Sequence, residues 1–119
     1  MNEYGHLSDN HSLLRQTMTV LEWNRVLEVL AGQARSAMGA EFCRALPLET
    51  DLEAALVRFQ ETAEMMALRE GSDPFPALSF PDVREAIDRA AKGAPLETHD
   101  LRDVSIGLGL GVEIVRYLG

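Results

Sequence analysis

The stretch TDLEAALVRFQETAEMMALREG, Thr50 to Gly71, decides the fold class. Leu52, Leu56, Phe59, Ala63 and Met66 recur at steps of four, three, four and three, the period of one face of an α-helix. Thr50 and Glu53 have the spacing of a capping box, in which the hydroxyl accepts from an amide three residues on and the carboxylate reaches back. Gly71 supplies the stop. The spacing predicts a helix of about five turns whose stripe is a packing seam. Phe59 at the centre of such a seam implies a cost of about 3–5 kcal/mol for Phe59→Ala.

The same signals continue on both sides. Upstream, Ser36 is placed to cap a short helix that Pro47 stops. Thr19 and Glu22 repeat the capping-box spacing ahead of Trp23, Val26, Leu27 and Leu30, a second apolar stripe. Residues 1–17 are polar and lack a period, so they read as a flexible leader to a helical domain over 18–119. Downstream, Pro74 and Pro76 make residues 72–80 a loop. Pro81 suits the first position of a helix, with Val83, Ile87 and Ala90 on its apolar side and Gly93 just past its end. The last helix is predicted from Thr98, with Leu101, Val104, Leu108, Val112, Val115 and Leu118 in one stripe. It reaches Gly119 with no closing cap, which implies that the natural chain continues. No strand-like alternation and no tandem repeat are present. The expected fold is all-α with four to five helices. Its expected core is Trp23, Val26, Leu30, Leu52, Leu56, Phe59, Met66, Val83, Ile87, Leu101, Val104 and Leu108.

Composition narrows the function. The 119 residues are 46% hydrophobic and 25% charged, an ordinary globular balance. The net charge is −8, with Lys92 the one lysine and the arginines scattered singly among Glu and Asp. A domain that grips nucleic acid alone shows clustered positive charge, so weak or no binding of DNA or RNA is expected. No apolar run approaches the ~20 residues that span a bilayer, and the polar N-terminus does not resemble a signal peptide. With a single cysteine, Cys43, the expected location is the cytoplasm, with no membrane partner.

Each candidate for chemistry has a plainer reading. Gly107, Gly109 and Gly111 could suggest a phosphate-cradling loop, but no strand precedes them. They read better as a locally weak helical turn where another backbone can approach. A Walker loop needs Gly-Lys-Ser/Thr, whereas Lys92 is followed by Gly93 and Ala94. Glu3 and His6 show one copy of a spacing that metal bundles need twice. Glu61 and Glu64 share a face that reads as solvated. Arg84 and Arg89 read as solvated or ion-paired rather than catalytic. No catalytic, cofactor-binding or metal-binding residue is therefore assigned. Phe75, Leu78 and Phe80 stand out in the proline loop. They are expected to plug into the domain's own core, with docking onto a protein partner as the alternative.

The ordered set Thr19-Val20-Leu21-Glu22-Trp23, Leu46-Pro47-Leu48-Glu49-Thr50-Asp51, Glu61-Thr62-Ala63-Glu64 and Pro81 to Gly93, then Leu96 and Asp100-Leu101, resembles the N-terminus of the second bacterial MutS family. These MutS relatives lack the mismatch-reading domain and usually end in a small MutS-related nuclease domain. The resemblance runs from about Met18 to Leu118. It implies a fragment of the MutS-type helical core and lever region, structural rather than enzymatic in itself. It also implies a longer, homodimeric parent that uses ATP and magnesium at sites outside this segment. That parent would act on branched DNA to suppress recombination, on collided ribosomes, or on both. The polar leader and the glycine-rich last helix depart from the family's pattern. The alternative to this reading is a self-contained helical module for protein–protein interaction.

Overall fold

A computed structural model describes residues 3–119, with side chains from Asn10 onward. Six helices follow one another, and no strand occurs among the described residues: α1 Glu3–Val20, α2 Trp23–Gln33, α3 Ala37–Arg44, α4 Leu52–Glu70, α5 Arg84–Ala91 and α6 Thr98–Leu118. The class is all-α as the periodicity predicts. The additional helix is α1, which takes up residues 3–17, where irregular chain was expected. That segment offers no apolar stripe to read, but it contains no proline to prevent a helix.

The junction after α1 differs from its sequence signature. Thr19 lies inside α1 and its hydroxyl donates to the Arg15 carbonyl at 2.9 Å, so no capping box forms with Glu22. Glu22 instead sits between the helices in the left-handed region, φ 50° and ψ 45°, and pairs with Arg25 at 3.4 Å. The Glu22 carbonyl accepts from Arg25 N–H at 2.8 Å and Val26 N–H at 3.1 Å, so α2 starts at once. Thr50 is likewise bypassed. Asp51 caps α4, accepting from Ala54 N–H at 3.0 Å, because an aspartate one residue closer offers a stronger acceptor to the same free amides.

Other boundaries follow the sequence. Ser36 Oγ accepts from Gly39 N–H at 3.0 Å and starts α3. A Cβ added at Gly39 would lie 2.9 Å from Ser36 Oγ, so a side chain there would displace the hydroxyl that caps α3. Gly71 is the C-cap of α4. Gly93 follows α5 with φ 87°, a conformation that favours glycine. Pro81 is not in the first turn of α5. The helix starts at Arg84, where Asp82 accepts from Arg84 N–H at 3.1 Å and fixes the entry. Before α6, Glu97 and Asp100 form a reciprocal capping box.

Packing is concentrated where α2 meets α3, with α1 touching α2. Among the described residues, the buried apolar ones are Leu27, Ala31 and Ala86. Leu27 and Ala31, four apart, lie on one face of α2. The expected core therefore needs correction. Trp23, Val83 and Val104 are half-buried, but Val26, Leu30, Leu52, Leu56, Phe59, Met66, Ile87, Leu101 and Leu108 are exposed, Phe59 by 73%. Helical period identifies an apolar face; it does not say that this chain covers it.

The shape follows from that sparse packing. The chain extends over 63 × 43 × 26 Å, with a radius of gyration of 19.9 Å against about 13.5 Å for a compact domain of this length. It exposes 9874 Å², where a compact protein of this mass exposes about 6,400 Å².

Candidate functional site

Two uncovered helix faces dominate the surface. On α4, every residue from Leu56 to Glu70 is exposed, including Leu56, Val57, Phe59 and Met66 of the predicted seam. On α6, Leu101, Leu108, Val112, Val115 and Leu118 are exposed along one long stripe. Gly107, Gly109 and Gly111 lie inside continuous α6, and a Cβ added to any of them would meet nothing within 4 Å. They form no loop that could cradle a phosphate, and no neighbouring backbone uses the space they leave.

Polar contacts, rather than apolar packing, tie the distant helices together. Arg84 at the start of α5 reaches α3, where its guanidinium donates to both Glu41 carboxylate oxygens at 2.7 and 2.9 Å. It also donates to Asp82 at 2.6 and 2.9 Å. The side-chain hydrogen bonds from Arg84, followed by its backbone amide, hold the Asp82 carboxyl down to about 2. The same guanidinium lowers Glu41, by hydrogen bonding and then by charge. Arg89 of α5 donates to both oxygens of buried Asp100 on α6 at 3.0 and 3.1 Å. Asp100 is held below its ordinary value first by the Glu97 amide and then by the charges of Arg89 and His99, against the opposing effect of burial. Arg84 and Arg89 are thus ion-paired braces.

The proline loop turns back on its own chain. Phe75 stacks edge-on against Tyr117 of α6, ring centres 5.1 Å apart at 76°. Tyr117 Oη donates to the Asp73 carbonyl at 2.9 Å. Phe75 and Phe80 are half-buried, while Leu78 stays exposed. All three line an open groove of 710 Å³ whose other apolar walls come from Met38, Phe42 and Met65 of α3 and α4. Sequence spacing flagged the loop but not Met38 and Phe42. Their four-residue separation on a short helix was the available signal, and only the tertiary approach of α3 to the loop gives it meaning.

Cys43 is half-buried in the same groove. Glu61 and Glu64 are exposed; Glu64 accepts from Gln60 Nε2 at 3.1 Å. No cluster of three metal-ligating side chains occurs among the described residues, and the side chains of Glu3 and His6 lie outside them. No described helix is long and apolar enough to cross a membrane.

The chain is similar to bacterial proteins named Endonuclease MutS2. With that of Symbiobacterium thermophilum it is 30% identical over 103 residues, 87% of this chain. With that of Exiguobacterium sibiricum the identity is 32% over 88 residues, 74% of the chain. With that of Bacillus mycoides it is 34% over 96 residues, 78% of the chain. The chain spans only 11–13% of the length of these relatives. No family model matches the chain, and no solved structure matches it. By its similarity over most of its length, the chain is a segment of the MutS2 family.

Proposed function

We propose that this chain is a non-catalytic structural arm of a MutS2-type protein, with the remaining domains of that protein covering the apolar faces of α4 and α6. The observation that carries this reading is the exposed stripe Leu52–Leu56–Phe59–Met66, a packing seam with nothing packed on it. An uncovered apolar face of that length, left open to water, marks a contact surface. The small share of each relative that the chain spans supports the same reading.

The family resemblance assigns the rest of the activity to other segments. ATP and magnesium would bind, and the parent would dimerise, outside residues 1–119. The nuclease activity in the relatives' names would likewise belong to another segment. This arm would transmit the nucleotide state towards the surface that holds branched DNA or a collided ribosome in the cytoplasm. Suppression of recombination and rescue of ribosomes are the two outcomes the family suggests.

Two measurements test the reading. The gene downstream of the Gly119 codon should encode Gly-x-x-x-x-Gly-Lys-Ser/Thr within the same open reading frame; a stop codon directly after Gly119 sinks the proposal. In the full-length product, hydrogen exchange over 52–66 and 101–118 should be far slower than in the 119-residue chain. Equal exchange would mean that nothing covers these faces.

A further inference from the structure

The groove between α3, α4 and the proline loop differs in chemistry from the bare helix faces. Its walls are Met38, Phe42, Met65, Phe75, Leu78 and Phe80, contributed by three separate elements. Methionine and aromatic walls adapt to an inserted apolar side chain. Two arginines, Arg35 and Arg69, also line it, and no Asp or Glu does. Six of the ten arginines are held in ion pairs: Arg25, Arg44, Arg58, Arg84, Arg89 and Arg102. Arg35 and Arg69 have no carboxylate partner among the described residues. Ser36, which caps α3, and Met38 and Gly39 of its first turn line the same space and add the positive end of a helix dipole. A chain of net charge −8 thus places two unpaired guanidiniums beside one concave apolar surface.

We infer that this groove is a docking site for an amphipathic helix of a partner protein that carries Asp or Glu along the edges of its apolar face. The apolar side chains would enter between Phe42 and the Phe75–Phe80 loop, and the carboxylates would meet Arg35 and Arg69. This is the helix-in-groove mode of recognition, in which apolar anchors supply affinity and flanking charges select the partner. Acidic edges are favoured because both guanidiniums are exposed and free to pair with a carboxylate, whereas a neutral edge gains no such pair and a basic one is repelled. The groove shares α4 with one of the exposed faces, at Met65 and Arg69, so the inference requires that the cover over Leu52, Leu56, Phe59 and Met66 leave these two residues open.

The test uses the 119-residue chain and two synthetic helical peptides, each with leucine on one face and either glutamate or lysine along both edges. Binding is followed by fluorescence anisotropy at low salt. The glutamate peptide is expected to bind at least about tenfold more tightly than the lysine peptide, with the difference shrinking as salt is added. Arg35→Glu combined with Arg69→Glu should invert that preference. Phe42 is 67% exposed, so Phe42→Asp should leave the circular dichroism spectrum unchanged and abolish binding of the glutamate peptide. Equal binding of the two peptides overturns the inference. So does an unchanged preference in the double variant, full binding by Phe42→Asp, or occupation of the groove by a second copy of the chain.

Discussion

At the scale of single residues, exposure overrides residue type. Phe59 has the size and the helical spacing of a core anchor, yet it is 73% exposed. In the isolated chain, Phe59→Ala should change stability by less than about 1 kcal/mol, as for other surface sites. Leu27, 5% exposed in the α2–α3 contact, should cost about 2–5 kcal/mol on replacement by Ala. Thermal melts of the two variants check the contrast, and equal losses would mean that α4 is covered. Glu22 is the opposite case, a residue whose backbone rather than side chain decides. Its left-handed conformation costs a non-glycine residue roughly 1–2 kcal/mol. Glu22→Gly should therefore stabilise the α1–α2 junction by up to about 1 kcal/mol, because the lost pair with Arg25 is exposed and weak. A lower melting temperature for Glu22→Gly would rule out this geometry.

At the scale of elements, α5 is held by charge on both sides. Asp82, Glu41 and Asp100 all have lowered pKa values in the folded chain. Unfolding returns Asp82 and Asp100 to about 3.8 and Glu41 to about 4.5, so the unfolded chain takes up protons first as the pH drops. Their contribution is therefore present above those ordinary values and is lost as the pH falls towards about 2. Urea midpoints between neutral pH and acid should decline, and Arg84→Gln should flatten that decline by removing the main cause at Asp82 and Glu41. Because both partners of the Arg84–Glu41 pair are about half exposed, added salt should weaken the effect. Helix α6 offers a second test at this scale. Gly109 has open space where a Cβ would go, so Gly109→Ala should stabilise the isolated chain by up to about 1 kcal/mol. If that variant lowers the melting temperature, a backbone already packs against the glycine turn.

At the scale of the whole molecule, the excess surface sets behaviour. The chain exposes about 3,500 Å² more than a compact protein of its mass, whereas a standard protein interface needs roughly 800 Å² from each partner. Self-association on concentration is the expected consequence, measurable by sedimentation velocity. Leu56→Glu together with Leu108→Glu should suppress it while leaving helix content unchanged. A monodisperse monomer with a high melting temperature would contradict this expectation. The net charge of −8 acts at the same scale: no tight retardation of branched DNA by the isolated chain is expected even at low salt.

The sequence by itself determined the helical class, the apolar faces and the helix ends marked by Ser36, Gly71 and Gly93, whereas the starts expected at Thr19, Thr50 and Pro81 moved. What it determined depends on local spacing and on those caps, which act within a turn or two. The family was also legible in the ordered set from Thr19 to Leu101. Helix α1 was not, because residues 3–17 carry no period to mark it. Where an aspartate and a threonine stood side by side, spacing alone picked the wrong cap at Thr50. Only the tertiary structure decided which apolar residues this chain buries, and it chose Leu27, Ala31 and Ala86 over the longer stripes of α4 and α6. It also decided that Glu41 and Arg84, 43 residues apart, would meet, and that Arg35, Phe42 and Phe80 would share one groove. Periodicity determines which way a side chain faces on its own helix, and burial depends on whether another element arrives to cover it.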